Sequence, residues 1–256
     1  MKLHQALFGF LLCCSCSTAE EASLQELPLP VEVVPAVVVE VPSLPILSHP
    51  VQKRVAYANR TVGALRDHPA VVAQAHDLAR DSWTVRVGLR RADAFFAMIE
   101  EQLVHHNVPR ELAFVPMVES VFHPEARGRR AVGLWQFTKA TAQAYGLRVD
   151  GQLDERRDPV KSTAAAIQYL RHLHDRFGSW ELALAAYNAG PSRVRRAMRA
   201  RPGASFWELS EAKLLPPVTR RYVPKVIGSA LLADDPERFG LRLPEGLAAV
   251  AFSRTS

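Results

Sequence analysis

Apolar residues recur every three or four positions along most of the chain from about residue 53, the signature of helices with one buried face. The spacing predicts helices over Ala70–Ala79, Val85–His106, Arg110–Ser120, Pro159–Phe177 and Trp180–Asn188. In the fourth, Ile167, Leu170, Leu173 and Phe177 make one stripe; Phe95, Met98, Ile99 and Leu103 make another on the second and longest. Convincing two-residue alternation is missing from this region, so the fold class is mainly α, in a single helical domain. The segment Leu112–Val118 departs from the pattern: seven successive residues lack a polar side chain, which predicts burial on every side.

The first fifty residues read differently. Lys2 precedes an apolar stretch from Ala6 to Cys14, followed by small residues up to Ala19. At roughly nine residues this core is too short to span a bilayer, which takes about twenty, and the arrangement predicts a signal peptide over 1–19. Two processing routes are open, an ordinary cut after Ala19 or a lipoprotein cut before Cys16. Residues 20–52 carry five Glu, six Pro and the Val37–Val39 run, a composition that disfavours helix and reads as an extended linker. The expected organisation continues with a helical part over 53–107, a catalytic region over 108–235 and a short tail over 236–256.

Charge and cysteine usage narrow the function. All three cysteines lie in the first sixteen residues, so the body holds no cysteine nucleophile and no cysteine metal site. His172 and His174 stand two apart and His105 and His106 are adjacent, spacings that do not converge on one helix face; no metal and no cofactor are expected. The chain carries 32 basic and 26 acidic residues, and from residue 51 onward 31 against 21. A basic exported domain suits an acidic partner, such as cell-wall polymer or lipid headgroups, and makes nucleic acid a poor partner. The run Arg193, Arg195, Arg196, Arg199 and Arg201 is the densest basic stretch.

Glu119 ends the all-apolar segment. Desolvation by its neighbours and the negative end of the helix both disfavour its anion, so its proton should persist toward neutrality. A carboxylic acid kept protonated in an apolar pocket is a general acid for glycosidic cleavage. The plainer alternative is a solvated Glu at a helix end, paired with an Arg.

Three motifs in order decide between these: Glu119-Ser120-Val121-Phe122-His123-Pro124, Gly133-Leu134-Trp135-Gln136-Phe137 and Ala186-Tyr187-Asn188-Ala189-Gly190. Together they resemble the lytic transglycosylases with a goose-type-lysozyme-like SLT domain, nearest the membrane-bound murein transglycosylase D branch. The likeness extends through Tyr222-Val223-Pro224-Lys225 and covers roughly residues 60 to 245. It implies cleavage of the β-1,4 bond between N-acetylmuramic acid and N-acetylglucosamine in peptidoglycan, without water, giving 1,6-anhydromuramyl ends. By motif position Glu119 is the single acid/base, and Ser120 orients it or the sugar. Gly133 leaves room for the sugar, Gln136 recognises acetamido and hydroxyl groups, Tyr187 approaches Glu119, and Asn188 braces the cleft. With the expected signal peptide, this makes a monomer in the periplasm or cell envelope the expectation, acting on glycan strands; a lipid anchor at Cys16 or the basic Arg193–Arg201 run would allow outer-membrane association. Departures from the family pattern are the short Arg127–Arg130 loop, Thr138-Lys139 after the second motif, and Val218 where a Glu is usual. A hydrolytic muramidase, with Asp150, Asp154 or Asp158 as second acid, and a non-catalytic wall-binding protein are the competing readings.

Overall fold

The structure, a computed structural model, describes residues 65–243; the expected signal peptide, the linker and the end of the tail lie outside them. Those residues are mainly helical. Helix α1 (Pro69–Arg80) is followed by α2 (Ser82–Ala92), α3 (Phe96–His105), a 3₁₀ turn (Arg110–Phe114) and α4 (Val115–Ser120). A two-residue hairpin, β1 (Ala131–Val132) and β2 (Phe137–Thr138), precedes α5 (Lys139–Ala144) and a second 3₁₀ turn (Glu155–Arg157). Then come α6 (Pro159–Phe177), α7 (Trp180–Ala189), α8 (Pro191–Ala200), α9 (Phe206–Glu211), α10 (Pro217–Asp234) and a last 3₁₀ turn (Glu237–Phe239).

Local chemistry sets the ends. The Asp158 carboxylate accepts from the backbone N–H of Val160 (2.9 Å) and Lys161 (3.0 Å), capping α6, and Pro159 sits at its first position, where no N–H is needed. At the other end Gly178 adopts the left-handed conformation that closes a helix. Ser205 and Glu208 form a reciprocal capping box on α9.

The expected helix over Val85–His106 is two helices. Phe95 N–H bonds the Ala92 carbonyl at 2.8 Å in a tight turn between α2 and α3. Buried Val85, Leu89, Ala92, Phe96, Ile99 and Leu103 keep spacings of three and four straight through that turn, so periodicity could not reveal it. The core residue is Phe96, while Phe95 is only partly covered. The expected helix over Arg110–Ser120 also divides, because Pro116 lacks the N–H that would carry an α-helix on from Leu112. Its burial is as expected, with Leu112, Ala113, Phe114 and Val115 fully enclosed.

One core joins these elements, and α10 runs through it with Tyr222, Val223, Pro224 and every residue from Val226 to Ala233 buried. Helix α1 lies against α10 at Gly228, where a Cβ would sit 3.0 Å from the Val71 carbonyl oxygen and 3.1 Å from the Ala75 nitrogen. Glycine there lets two backbones meet. Helix α10 therefore presents its first turns, including Thr219 and Tyr222, to α7 and α4.

Candidate active site

Glu119 stands in the last turn of α4, which ends abruptly. Val121 and Phe122 both take φ of +53°, a left-handed conformation that is costly for a β-branched or bulky residue. The Phe122 N–H turns back to the Pro116 carbonyl at 3.1 Å, and its ring is fully buried, edge-on to Phe114. This reversal holds the acid at the rim of the core rather than on a solvated helix face.

The Tyr222 hydroxyl on α10 donates to Glu119 Oε1 at 2.6 Å. Burial pushes the Glu119 carboxyl up from an ordinary value of 4.5 to about 7, against the Tyr222 hydrogen bond, which favours the anion and pulls it down. The residue is nonetheless partly open to solvent. Tyr222 and Tyr187 are held far above the usual phenol range, by burial first and then by Glu119, so both remain neutral donors.

The other residues of the three motifs tie the elements around α4 together, with some contacts different from those expected. Tyr187 on α7 comes within electrostatic reach of Glu119, but its hydroxyl donates to the Trp135 carbonyl at 2.7 Å. The phenol that touches the acid belongs to Tyr222. Ser120 is buried and donates to the Leu134 carbonyl at 2.7 Å, with the Pro116 carbonyl at 3.2 Å; it ties α4 to the hairpin loop rather than bonding Glu119. Gly133 leaves room for backbone, not sugar: at its φ of +88° a Cβ would fall 1.8 Å from the Arg156 carbonyl oxygen.

Gln136, at a φ of +50°, directs its amide N–H₂ to the carbonyls of Gly133 (2.8 Å) and Ala126 (3.3 Å). Its Oε1 lies against Gly128, where a Cβ would come within 2.8 Å of it. Asn188 accepts from Thr219 at 2.8 Å, which joins α7 to α10 beside Tyr222 and keeps the Asn188 N–H₂ free of that bond. Trp135 and Phe137 are core aromatics, and the Trp135 indole donates to Thr163 at 2.9 Å. Val218, on the first turn of α10, is 62% exposed.

The three aspartates considered as a second acid are engaged elsewhere. Asp154 pairs with Arg156 at 2.8 Å, Asp158 caps α6, and Asp150 accepts from Arg148 and from the N–H of Gln152 and Leu153. Asp150 and Asp154 are held below the usual carboxylate range, first by those arginines. Sequence reasoning assigned no role to Tyr222; its place in the Tyr-Val-Pro-Lys stretch was the available signal.

Residues 96–210 match the model of the Transglycosylase SLT domain. Over that stretch, which is less than half of the chain, it is similar to SLT domains. Glu119, Ser120, Gly133, Gln136, Tyr187 and Asn188 all fall within the match, and Tyr222 lies beyond it. Over 160 residues, 60% of this chain and 34% of the relative, it is 38% identical to membrane-bound lytic murein transglycosylase D of Escherichia coli K12. It is 35% identical over 149 residues, 56% of this chain, to peptidoglycan transglycosylase gp16 of Escherichia phage T7, covering 11% of that protein. A putative tributyltin chloride resistance protein of an Alteromonas strain is 39% identical over 110 residues, 42% of this chain and 53% of its own length. The chain thus spans about a third of the murein transglycosylase D length.

Proposed function

We propose that the chain is a peptidoglycan lytic transglycosylase that cleaves the β-1,4 bond between N-acetylmuramic acid and N-acetylglucosamine, with Glu119 as its one acid/base. The observation that carries this reading is a carboxyl whose proton is held to about 7, fixed through one oxygen by Tyr222. The other oxygen is then the one to deliver the proton. Glu119 gives it to the glycosidic oxygen as the bond from muramyl C1 breaks. The muramyl 6-hydroxyl oxygen closes onto C1, and its proton returns to Glu119. No water is consumed and the acid ends as it began.

Attack by a hydroxyl already tethered to the same sugar needs no second carboxylate to hold a water or form a glycosyl-enzyme bond. The engagement of Asp150, Asp154 and Asp158 by arginines and backbone N–H groups supports the one-acid scheme over the hydrolytic one. Gln136 Oε1 and the Asn188 N–H₂ supply an acceptor and a donor for acetamido and hydroxyl groups. The catalytic region, 108–235, takes in Tyr222, and the enzyme acts on glycan strands in the cell envelope.

The test is mass spectrometry of muropeptides released from sacculi by the wild-type protein and by Glu119→Gln. Products with anhydro ends from wild type alone are expected. Products heavier by one water would replace this reading with hydrolysis, and release by the variant would remove Glu119 from the chemistry.

A further inference from the structure

Helix α8 begins at Pro191, directly after Asn188-Ala189-Gly190, and divides its residues by charge. Val194 and Ala197 are buried, while Arg193, Arg195, Arg196 and Arg199 are exposed with no acid on the helix. Among the described residues no ion pair engages Arg195, Arg196 or Arg199. Glu208 serves the α9 cap and lies 4.0 Å from Arg201. Beside this row, where α8 meets the end of α6, is an open pocket of about 480 Å³. Apolar Phe177, Met198 and Pro202 line it together with Arg176, Arg195 and Arg199; Phe177 is buried and Met198 half-buried, so they make the floor, while the exposed arginines and Pro202 stand at the rim.

Crowded guanidinium groups repel one another, and an anion relieves that cost. Arginine is weakly hydrated and its fork matches phosphate oxygens. A hydrophilic carboxylated polymer would satisfy the rim but gain nothing from the floor. A lipid offers both an anionic head and an apolar body. We propose that this face docks on an anionic phospholipid surface, with Arg195 and Arg199 on headgroup phosphates and the Phe177–Met198 floor receiving the apolar part of a lipid. The row runs along a ten-residue helix of about 15 Å, long enough to meet several headgroups at once. This binding is independent of the proposed chemistry at Glu119.

The experiment is flotation of the full chain with vesicles of phosphatidylcholine alone or mixed with phosphatidylglycerol. Binding is expected to the anionic vesicles only and to weaken as salt rises. The double variant Arg195→Gln/Arg199→Gln should lower partitioning about thirtyfold, at about tenfold per 1.4 kcal/mol and about 1 kcal/mol for each arginine at such a surface. Met198→Ser should lower it with net charge unchanged, which isolates the floor. An unchanged thermal midpoint and unchanged turnover of soluble glycan fragments would show that the double variant is intact. Equal partitioning of wild type and the double variant overturns the proposal. So does a double variant that loses retention on sacculi while keeping its hold on vesicles, a result that assigns the row to wall carboxylates.

Discussion

Replacing Glu119 by Gln should change stability in a way that depends on pH and on nothing catalytic. In the folded chain the carboxyl keeps its proton to about 7, whereas in the unfolded chain it loses it near its ordinary 4.5. Below 4.5 both states are protonated, and Gln, of the same shape and also able to accept from Tyr222, should leave stability nearly unchanged. Between 4.5 and about 7 the folded state binds more protons than the unfolded one, so wild-type stability falls as pH rises. Above 7 the loss is complete. Two and a half pH units at 1.36 kcal/mol each make it about 3 kcal/mol. Gln has no charge to desolvate and escapes the loss. Urea unfolding of both proteins at about pH 4 and pH 8 measures it: the gap should open from near zero to about 3 kcal/mol in favour of the variant. Every other titrating group cancels in the difference. A gap of the same size at both pH values would refute the burial of this carboxyl, whatever the activity assays show.

Tyr222→Phe removes the 2.6 Å hydrogen bond that favours the Glu119 anion, so the alkaline limb of the turnover profile should move up by roughly one pH unit, and a downward shift would contradict the assignment. Gly133→Ala puts a Cβ against the Arg156 carbonyl at a positive φ and should destabilise the fold by more than about 3 kcal/mol in urea unfolding. Thr219→Val deletes the bond to Asn188 and should cost about 1 kcal/mol in stability, with a rise in KM greater than any fall in kcat if Asn188 is a substrate group.

Helix α6 was legible almost to the residue, because every signal is local. Asp158 and Pro159 start it, a stripe of Ile167, Leu170, Leu173 and Phe177 runs through it, and Gly178 stops it. Helix α10 was not, although it is nearly as long. It is buried on so many sides that no single stripe forms, and Arg220, Arg221, Pro224 and Lys225 in its first half look like a loop. The same division holds at the site. The expected role of Glu119 came only from the three motifs taken together, but its burial could be read from the apolar run that delivers it. Tyr222 could not, because its partner lies 103 residues away and no spacing encodes that contact. Gly133 was visible as a glycine, but only the fold shows that the approaching atom is a carbonyl of the chain itself.

The left-handed residues explain how one short helix meets two opposed demands. An acid that keeps its proton near neutrality must be buried, yet one that gives it to a ligand must stay at a surface. A helix running on past Ser120 would carry the chain away from the core. Val121 and Phe122 instead reverse it within two residues, and Gln136 takes a positive φ in the loop opposite. Such conformations cost about 1–3 kcal/mol each and persist only where surrounding contacts over-determine them. Those contacts are present: the fully buried Phe122 ring, the Ser120 hydroxyl on Leu134, and the Gln136 amide on Gly133 and Ala126. The Ser120 bond links the helix to the hairpin loop, and the Gln136 bonds brace that loop on itself. The strain is therefore held by contacts on both sides of the acid in sequence, while the Tyr222 hydroxyl fixes the carboxyl itself.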